Sequence, residues 1–311
     1  MDREKLKRRL QRLISKTYLK NTLTKIVTYI LLIDLSFVFL LPFIYMVVTS
    51  FMTDANLSDV SIKWVPTSLY LENFRRAFRA LSYNRHLINS LIMIFFCTAG
   101  HVFSDSLAGY ALAKYQFRGA KLFFVIVVLS MVVPMQIIII PTYLQFYRLG
   151  FTGTYLPMII PAFLGYGLKG GMFIFLYRQY FLGIPKEYIE ASRIDGCGFL
   201  SSFYRIVFPT ATTPTLVTCV LSIIWHWNDY FEATFYVRSQ KWQVLTQRLP
   251  MIYNEFKSIN VPDPVTKMPL RIYNEAVFMA ATFLVILPIL ILYLILQKSF
   301  IEGIERTGHV E

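Results

Sequence analysis

Charged side chains are scarce in this chain of 311 residues: only 16% are Asp, Glu, Lys or Arg, whereas 56% are hydrophobic. Soluble domains carry about 25% charged residues, so this composition excludes an ordinary soluble protein. Acidic residues are fewer than basic ones, 18 against 31, and the net charge is +13. A basic chain of this kind can bind nucleic acid, but the distribution of the charge argues against that partner here.

Cysteine and histidine are also rare. Cys97, Cys197 and Cys219 are scattered along the chain, which argues against a disulfide framework. The histidines show no spacing typical of metal ligands, and we expect local packing or surface roles for all four: His86, His101, His226 and His309. The sequence therefore predicts neither a metal site nor a cofactor bound by this chain.

The chain contains no Gly-x4-Gly-Lys-Ser/Thr phosphate loop. Without that loop it lacks the usual cradle for the phosphates of a nucleotide. Any ATP hydrolysis linked to this protein must then occur on another polypeptide. An integral membrane enzyme is a weak alternative, since it needs His, Asp or Glu clustered at one membrane depth, and the ionisable residues here are dispersed.

Long hydrophobic runs dominate the chain. A membrane-spanning helix needs roughly 20 mainly apolar residues, and six segments satisfy that requirement: 26–53, 87–113, 122–147, 149–177, 209–231 and 276–297. The third has no charged residue between Lys121 and Arg148. We therefore predict an all-α integral membrane protein with six transmembrane helices.

The basic residues are concentrated before the first span, where residues 1–25 hold nine Lys and Arg. Such residues remain on the cytoplasmic side of a membrane, so the N-terminus is predicted to be cytoplasmic. Since six spans return the chain to the same side, the C-terminus is predicted to be cytoplasmic as well. The predicted organisation is a basic segment 1–25, a six-helix domain 26–301 with a cytoplasmic loop at 183–209, and a tail 302–311. The basic segment either lies on anionic lipid headgroups or is a solvated topology signal.

The loop at 183–209 has its own pattern. Glu187 and Glu190 favour the start of a helix, because carboxylates stabilise its positive end. Gly196 ends that helix, and a second helix with one apolar face runs from Phe199 towards Pro209. The sequence predicts two short helices bent at a glycine, a compact shape that fits into a cleft on a soluble partner.

This loop resembles the EAA signature of ABC importer permeases. The signature is Glu-Ala-Ala, three residues, Gly, nine residues, Ile, one residue, Leu-Pro, and five positions match it: Glu190, Ala191, Gly196, Ile206 and Pro209. Ser192 stands where the family has the second Ala, and Phe208 where it has Leu. The alternative is an ordinary amphipathic loop. The resemblance implies that a separate ATPase docks on this loop through Glu190, Ala191, Ser192, Asp195 and Gly196.

A second resemblance narrows the class of permease. Residues 225–230 read Trp-His-Trp-Asn-Asp-Tyr, similar to the Trp-Asn segment of maltose-type carbohydrate permeases, and the likeness extends from about residue 85 onwards. It implies type I ABC importer architecture, a sugar as cargo and a bacterial cytoplasmic membrane. It also implies three kinds of partner: a second permease subunit in a heterodimer, two ATPase subunits and an extracytoplasmic sugar-binding protein.

The predicted fifth span carries a polar stripe. Residues at spacings of 3, 4, 3, 4 and 3 share one helical face: Thr215, Thr218, Ser222, Trp225, Asp229 and Glu232. The stripe fits either a passage for sugars or a packing seam between helices, since Ser and Thr are common in both. The residues predicted to contact the substrate are Ser222, Trp225, Asn228, Asp229 and Glu232.

Three other ionisable residues lie in spans. Asp34, Asp105 and Lys169 have no assigned role; Asp105, near the cytoplasmic end of its span, either has a function or simply reaches the headgroups. Lys169 either pairs with a carboxylate of the partner subunit or reaches the membrane surface. Two further alternatives remain for the whole protein: an ABC permease for another solute, such as an amino acid, polyamine or phosphate, and a channel subunit.

Overall fold

The computed structural model describes residues 16–59, 64–167, 169–258, 261–262, 269–270 and 274–308. The basic side chains before Lys16 lie outside the described residues. Within the described part the protein is almost entirely helical, with one short antiparallel ladder in the outer loop that pairs Val261 with Leu270.

The helices, named in chain order, are α1 (Lys16–Ser50), α2 (Asp54–Ser58), α3 (Glu72–Ala80), α4 (Tyr83–Gly100), α5 (Ser106–Lys114), α6 (Ala120–Val132), α7 (Met135–Arg148), α8 (Leu156–Phe163), α9 (Gly170–Leu182), α10 (Glu187–Ile194), α11 (Phe199–Ser202), α12 (Phe208–Thr210), α13 (Thr212–Asn228), α14 (Phe231–Tyr236), α15 (Leu245–Ser258) and α16 (Glu275–Gly308). Two π-helical segments interrupt them, π1 (His101–Asp105) and π2 (Phe203–Val207), and the strands are β1 (Val261–Pro262) and β2 (Pro269–Leu270).

Three continuous helices in the described residues are long and apolar enough to cross a membrane: Lys20–Ser50 within α1, Tyr83–Lys114 across α4, π1 and α5, and Glu275–Gln297 within α16. They match the first, second and sixth predicted spans. α16 continues without a break past residue 301, so the predicted boundary between the membrane domain and the tail does not interrupt the helix.

The third predicted span is bent. α6 and α7 meet at an angle of 106°, with Pro134 between them in an extended conformation. Proline lacks the N–H that would continue the helix, and its ring disfavours helical geometry at the residue before it. The fifth span is likewise preceded by a bend of 81° between Phe199–Thr210 and α13.

The fourth predicted span, 149–177, is not one helix, and this part of the prediction was wrong. α8 ends at Phe163 and α9 begins at Gly170, with left-handed backbone between them at Gly165 (φ +72°) and Lys169 (φ +65°). Left-handed geometry ends a right-handed helix, and glycine adopts it without steric penalty. A hydropathy pattern does not register such a break, because it averages side-chain transfer energies over many residues and contains no information about backbone dihedrals.

Two hydrophobic clusters hold the fold together. The larger one joins α4, α7, α8 and α13 to α14, α15 and α16, around fully buried residues such as Met93, Cys97 and Ala162. The smaller one packs α5 and α9 against the loop at 183–209. α1 lies apart from both over most of its length: residues 20–40 are exposed on every face, as suits a helix surrounded by lipid or by another subunit.

Candidate functional site

The docking loop (residues 183–209) has the predicted shape. α10 ends at Ile194, Gly196 turns the chain with φ +78°, and α11, π2 and α12 follow. A β-carbon at Gly196 would meet no atom within 4 Å. The glycine is therefore required for its backbone conformation and not for close packing.

A hydrogen bond joins the two arms of this loop. The hydroxyl oxygens of Ser192 in α10 and Ser202 in α11 lie 2.8 Å apart, and both side chains are 1% exposed. Ser192 also donates to the carbonyl oxygen of Ile189 at 2.7 Å. Among the predicted docking residues, Ser192 thus points into the loop, whereas four are exposed: Glu190, Ala191, Asp195 and Gly196.

The loop is anchored to two membrane helices by the smaller cluster, whose buried members are Tyr110, Tyr177, Phe181, Ile189, Phe203, Val207 and Ala211. Tyr180 donates to the carbonyl oxygen of Thr210 at 2.5 Å, and Lys114 donates to the carbonyl oxygen of Ile184. Aromatic side chains and hydrogen bonds therefore hold both ends of the loop against α5, α9 and the start of α13.

Exposed apolar side chains surround the bend. Ile194, next to Gly196 at the end of α10, is 87% exposed, and Tyr188 and Leu200 are also exposed. None of these three residues belongs to the EAA signature, so the sequence motif does not single them out. An exposed apolar patch on a polar loop is typical of a surface that binds another protein.

In the first half of α13, the residues that face a cavity are not those of the predicted polar stripe. A cavity of about 670 Å³ lies between α9, the docking loop and α13, and α13 contributes Thr213, Pro214 and Val217 to its wall. Thr218 and Ser222 are instead 0% exposed. Their side chains lie in the packed interior of this subunit.

Ser222 lies in the seam between α4 and α13. Its hydroxyl oxygen is 2.9 Å from that of Thr98, and its carbonyl oxygen accepts a hydrogen bond from His226 Nδ1 at 2.9 Å. A hydrogen bond between hydroxyl groups is a common contact between membrane helices. For Ser222 the geometry favours the packing alternative.

Trp225 and Lys169 lie together. The Trp225 ring is 5.5 Å from the Phe173 ring, and Lys169 Nζ is 5.9 Å from the centre of the indole. At that distance a cation is attracted to the face of an aromatic ring. Within this subunit, Lys169 contacts an aromatic ring, a partner that the sequence analysis did not consider.

The end of α13 carries the remaining substrate candidates. Asn228 is exposed and donates to the carbonyl oxygen of Ile224 at 2.8 Å. Asp229 Oδ1 accepts a hydrogen bond from the backbone N–H of Glu232 at 3.0 Å, which stabilises the first turn of α14. The other oxygen, Oδ2, is buried and has no hydrogen-bond partner among the described residues.

Glu232 is 5% exposed, and no atom of the described chain hydrogen-bonds to its Oε1. It lines a cavity of about 10 Å³ together with His226 and Tyr166, space for about one water molecule. A buried carboxylate without a partner is unusual, so Glu232 and Asp229 are the two members of the stripe that most need a ligand or a donor.

Asp105 does not reach the headgroups, which rules out one of the two alternatives for this residue. Its Oδ2 lies 2.8 Å from His101 Nδ1, and both side chains are 0% exposed. A buried carboxylate needs such a partner. The spacing of four residues between His101 and Asp105 is the one sequence signal that could have revealed the pair.

Comparison with known proteins places these features in one family. The family described as "Binding-protein-dependent transport system inner membrane component" matches residues 106–306, about two thirds of the chain. The chain belongs to that family. It is a membrane-embedded permease component of an ABC importer and not an enzyme, and in such systems a separate subunit hydrolyses ATP.

Several curated relatives align over nearly their full length. The melibiose/raffinose/stachyose import permease protein MelC of Bacillus subtilis is 30% identical, over 85% of this chain and 89% of its own. The arabinooligosaccharides transport system permease protein AraQ of Halalkalibacterium halodurans is 27% identical, over 88% and 92% of the two chains.

A solved structure shares the fold. It is a bacterial ABC transporter involved in the import of the acidic polysaccharide alginate; its matching chain is 23% identical, with a TM-score of 0.74 over 90% of this chain and 98% of that one. The type I importer permease architecture predicted from the sequence is confirmed.

Proposed function

We propose that this permease imports a carbohydrate, specifically an oligosaccharide, as one half of a heterodimeric transporter. The names of the relatives support this cargo, since they refer to import of melibiose, raffinose and stachyose and to transport of arabinooligosaccharides. The Trp-Asn segment at the end of α13 agrees with it. The remaining components are a second permease, two ATPase subunits and a sugar-binding protein outside the membrane.

The observation that carries the mechanism is the rigid docking loop with its exposed apolar tip. Ile194 enters a cleft of the ATPase, while Glu190, Ala191, Asp195 and Gly196 surround it with polar and small groups. Ser192 acts from within, by holding α10 against α11. When the ATPases close on ATP, the loop moves as one body and carries the attached ends of α5, α9 and α13.

The sugar path lies along the outer end and the exposed face of α13. Trp225 and Asn228 contribute an aromatic ring and an amide there, the two kinds of surface that a sugar's apolar ring face and hydroxyl groups require. Asp229 and, in the first turn of α14, Glu232 are the further sugar contacts: each has a buried carboxylate oxygen without a hydrogen-bond partner among the described residues. Ser222 supports this helix from the seam with α4. ATP is bound by the partner ATPases, so this chain requires no cofactor of its own.

The protein spans the bacterial cytoplasmic membrane with both termini in the cytoplasm. Support for this orientation comes from the basic residues that precede the first span. It places the docking loop on the side where ATP is available. It places the outer helices α14 and α15 on the side of the sugar-binding protein.

The direct test is reconstitution of this chain with its second permease, the ATPase and the binding protein in proteoliposomes. Uptake of labelled raffinose-type or arabinose-type oligosaccharides is compared with uptake of an amino acid, a polyamine and phosphate. ATP-dependent uptake of an oligosaccharide supports the proposal. Uptake confined to one of the other solutes refutes the cargo but leaves the importer class intact.

A further inference from the structure

Two predicted spans lose regular α-helical geometry in segments that lie side by side. The second span becomes π-helical over π1, and the fourth is broken after α8, with Gly167 at φ +151°. The two irregular segments touch: a β-carbon at Gly167 would lie 3.3 Å from His101 Cε1, and one at Gly165 would lie 3.8 Å from Asp105 Oδ1. π-Helical turns occur frequently at functional sites.

Hydrogen bonds fix this contact. Ser104 Oγ, inside π1, donates to the carbonyl oxygen of Ala162 in the last turn of α8 at 2.8 Å. That carbonyl would otherwise accept from Tyr166 N, but Tyr166 N donates to Pro161 O instead. π1 therefore supplies the donor that α8 lacks at its end.

The His101 ring joins this contact to two further helices. Its centre is 5.0 Å from the Phe173 ring on α9 and 5.5 Å from the His226 ring on α13. α9 leads directly into the docking loop, and α13 begins directly after it. The pair of His101 and Asp105 thus lies where both of these helices meet the end of α8.

On the docking-loop side of this pair the packing is close. A β-carbon at Gly109 in α5 would lie 2.7 Å from Tyr177 Cβ and 2.9 Å from Arg178 N in α9. With no room for a side chain, α5 and α9 lie backbone to backbone. Together with the docking loop they form one packed unit, which ends at π1.

We propose that His101 and Asp105 are positioning residues of a joint between this docking-loop unit and the outer half of the subunit. The hydrogen-bonded ring keeps α8 in register with α9 and α13, so that movement of the docking loop shifts the outer half as well. This inference rests on the proposed function, because it assumes that ATPases move the docking loop.

The test uses the double variant His101→Phe/Asp105→Leu in the reconstituted transporter. Phe keeps the ring packing, and Leu removes the carboxylate that would otherwise be left without a partner. Sugar transported per ATP hydrolysed is expected to fall about tenfold, a typical allosteric coupling, with the ATPase still bound and active. The matched control is His86→Phe, which replaces the other buried histidine of the same span. His86 bonds a carbonyl oxygen and not a carboxylate, so this variant should keep the wild-type ratio.

A second pair of variants decides the matter if the double variant fails to assemble. Gly167→Ala pushes a methyl group against the His101 ring without removing a polar group, and it should lower the same ratio. Gly150→Ala also replaces a glycine of positive φ (+70°), but its β-carbon would meet no atom within 4 Å, so the ratio should not change. Asp105→Asn, whose side-chain amide can still hydrogen-bond to His101 Nδ1, should retain most of the wild-type coupling.

The outcomes separate this inference from the proposed function. A wild-type ratio of sugar transported per ATP hydrolysed in the double variant would overturn the proposed joint. Equal ratios in Gly167→Ala and Gly150→Ala would do the same. Neither result would affect the proposed role of the docking loop. Failure of the wild-type permease to bind an ATPase overturns the proposed function itself.

Discussion

The hydroxyl oxygens of Ser192 and Ser202 lie 2.8 Å apart and connect the two arms of the docking loop across its bend. Both residues are buried, so each hydroxyl has the other as a partner within the loop. A loop closed in this way changes shape less easily than one joined at the backbone alone. This rigidity allows a force applied at Ile194 to reach the membrane helices.

Replacing Ser192 by Ala should destabilise the protein, because Ser202 Oγ loses its partner in a buried site. The expected decrease in unfolding free energy is about 1–3 kcal/mol. The double variant Ser192→Ala/Ser202→Ala should recover most of that loss. Thermal unfolding in detergent measures the stability of the single variants and of the double variant. A loss in the double variant equal to the sum of the two single losses would show that the hydroxyl contact is not formed.

Gly196→Leu should impair coupling between ATP hydrolysis and transport. Leu at φ +78° incurs about 1–2 kcal/mol of backbone strain, and relief of that strain changes the bend. Gly196→Asn is the matched control, since asparagine tolerates left-handed geometry. The measurement is sugar-stimulated ATPase activity of the reconstituted complex; wild-type stimulation in the Leu variant would refute a required bend.

Ile194→Asp should weaken binding of the ATPase while leaving the permease folded, because the side chain is 87% exposed. Loss of a buried apolar contact at the interface predicts an affinity at least about tenfold lower, equivalent to about 1.4 kcal/mol. Val65→Asp, at an equally apolar and 76% exposed position away from the docking loop, serves as the control. Titration of the purified ATPase against permease in nanodiscs measures both affinities, and unchanged binding by the Ile194 variant would exclude this residue from the interface.

The orientation predicts opposite accessibility for two cysteines. Gln240→Cys, in the exposed segment after α14, should react with an impermeant thiol reagent added to intact cells. The native Cys197, in the docking loop, should react only after permeabilisation. Cys97 and Cys219 are replaced by Ala beforehand, and the reverse labelling pattern would place the docking loop outside the cell.

Asp229→Ala should slow sugar uptake more than Thr218→Ala does. The carboxylate both accepts the hydrogen bond from Glu232 N and has a second, unpaired oxygen, whereas Thr218 is enclosed in the helix seam. Asp229→Asn keeps an acceptor for Glu232 N but removes the charge. Uptake assays on the three variants distinguish the roles: recovery by Asn indicates a structural cap, and a defect confined to some sugars indicates a contact with the substrate. Normal uptake by the Ala variant would leave Asp229 without a transport role.

Local patterns were enough to predict the docking loop. Its helices, its bend at Gly196 and its apolar face depend on residues close together in sequence, and the spacing of Glu190 and Gly196 reflects that local geometry. The same holds for α1, α16 and the helix from Tyr83 to Lys114, each of which is one long apolar run. Hydrophobic content and short-range spacing therefore determined the membrane spans and the shape of the loop, and the resemblance of that loop to the EAA signature indicated the permease family.

Tertiary packing decided which side chains face one another. Periodicity placed Thr218 and Ser222 on one face of α13, but only the position of α4 shows that this face is buried against Thr98. Asp105 was placed near headgroups from its sequence position, whereas packing against His101, α8 and α9 encloses it completely. The break after α8 was not predicted either. A hydropathy window measures transfer to an apolar medium, and it contains no information about backbone dihedrals or about partners distant in sequence.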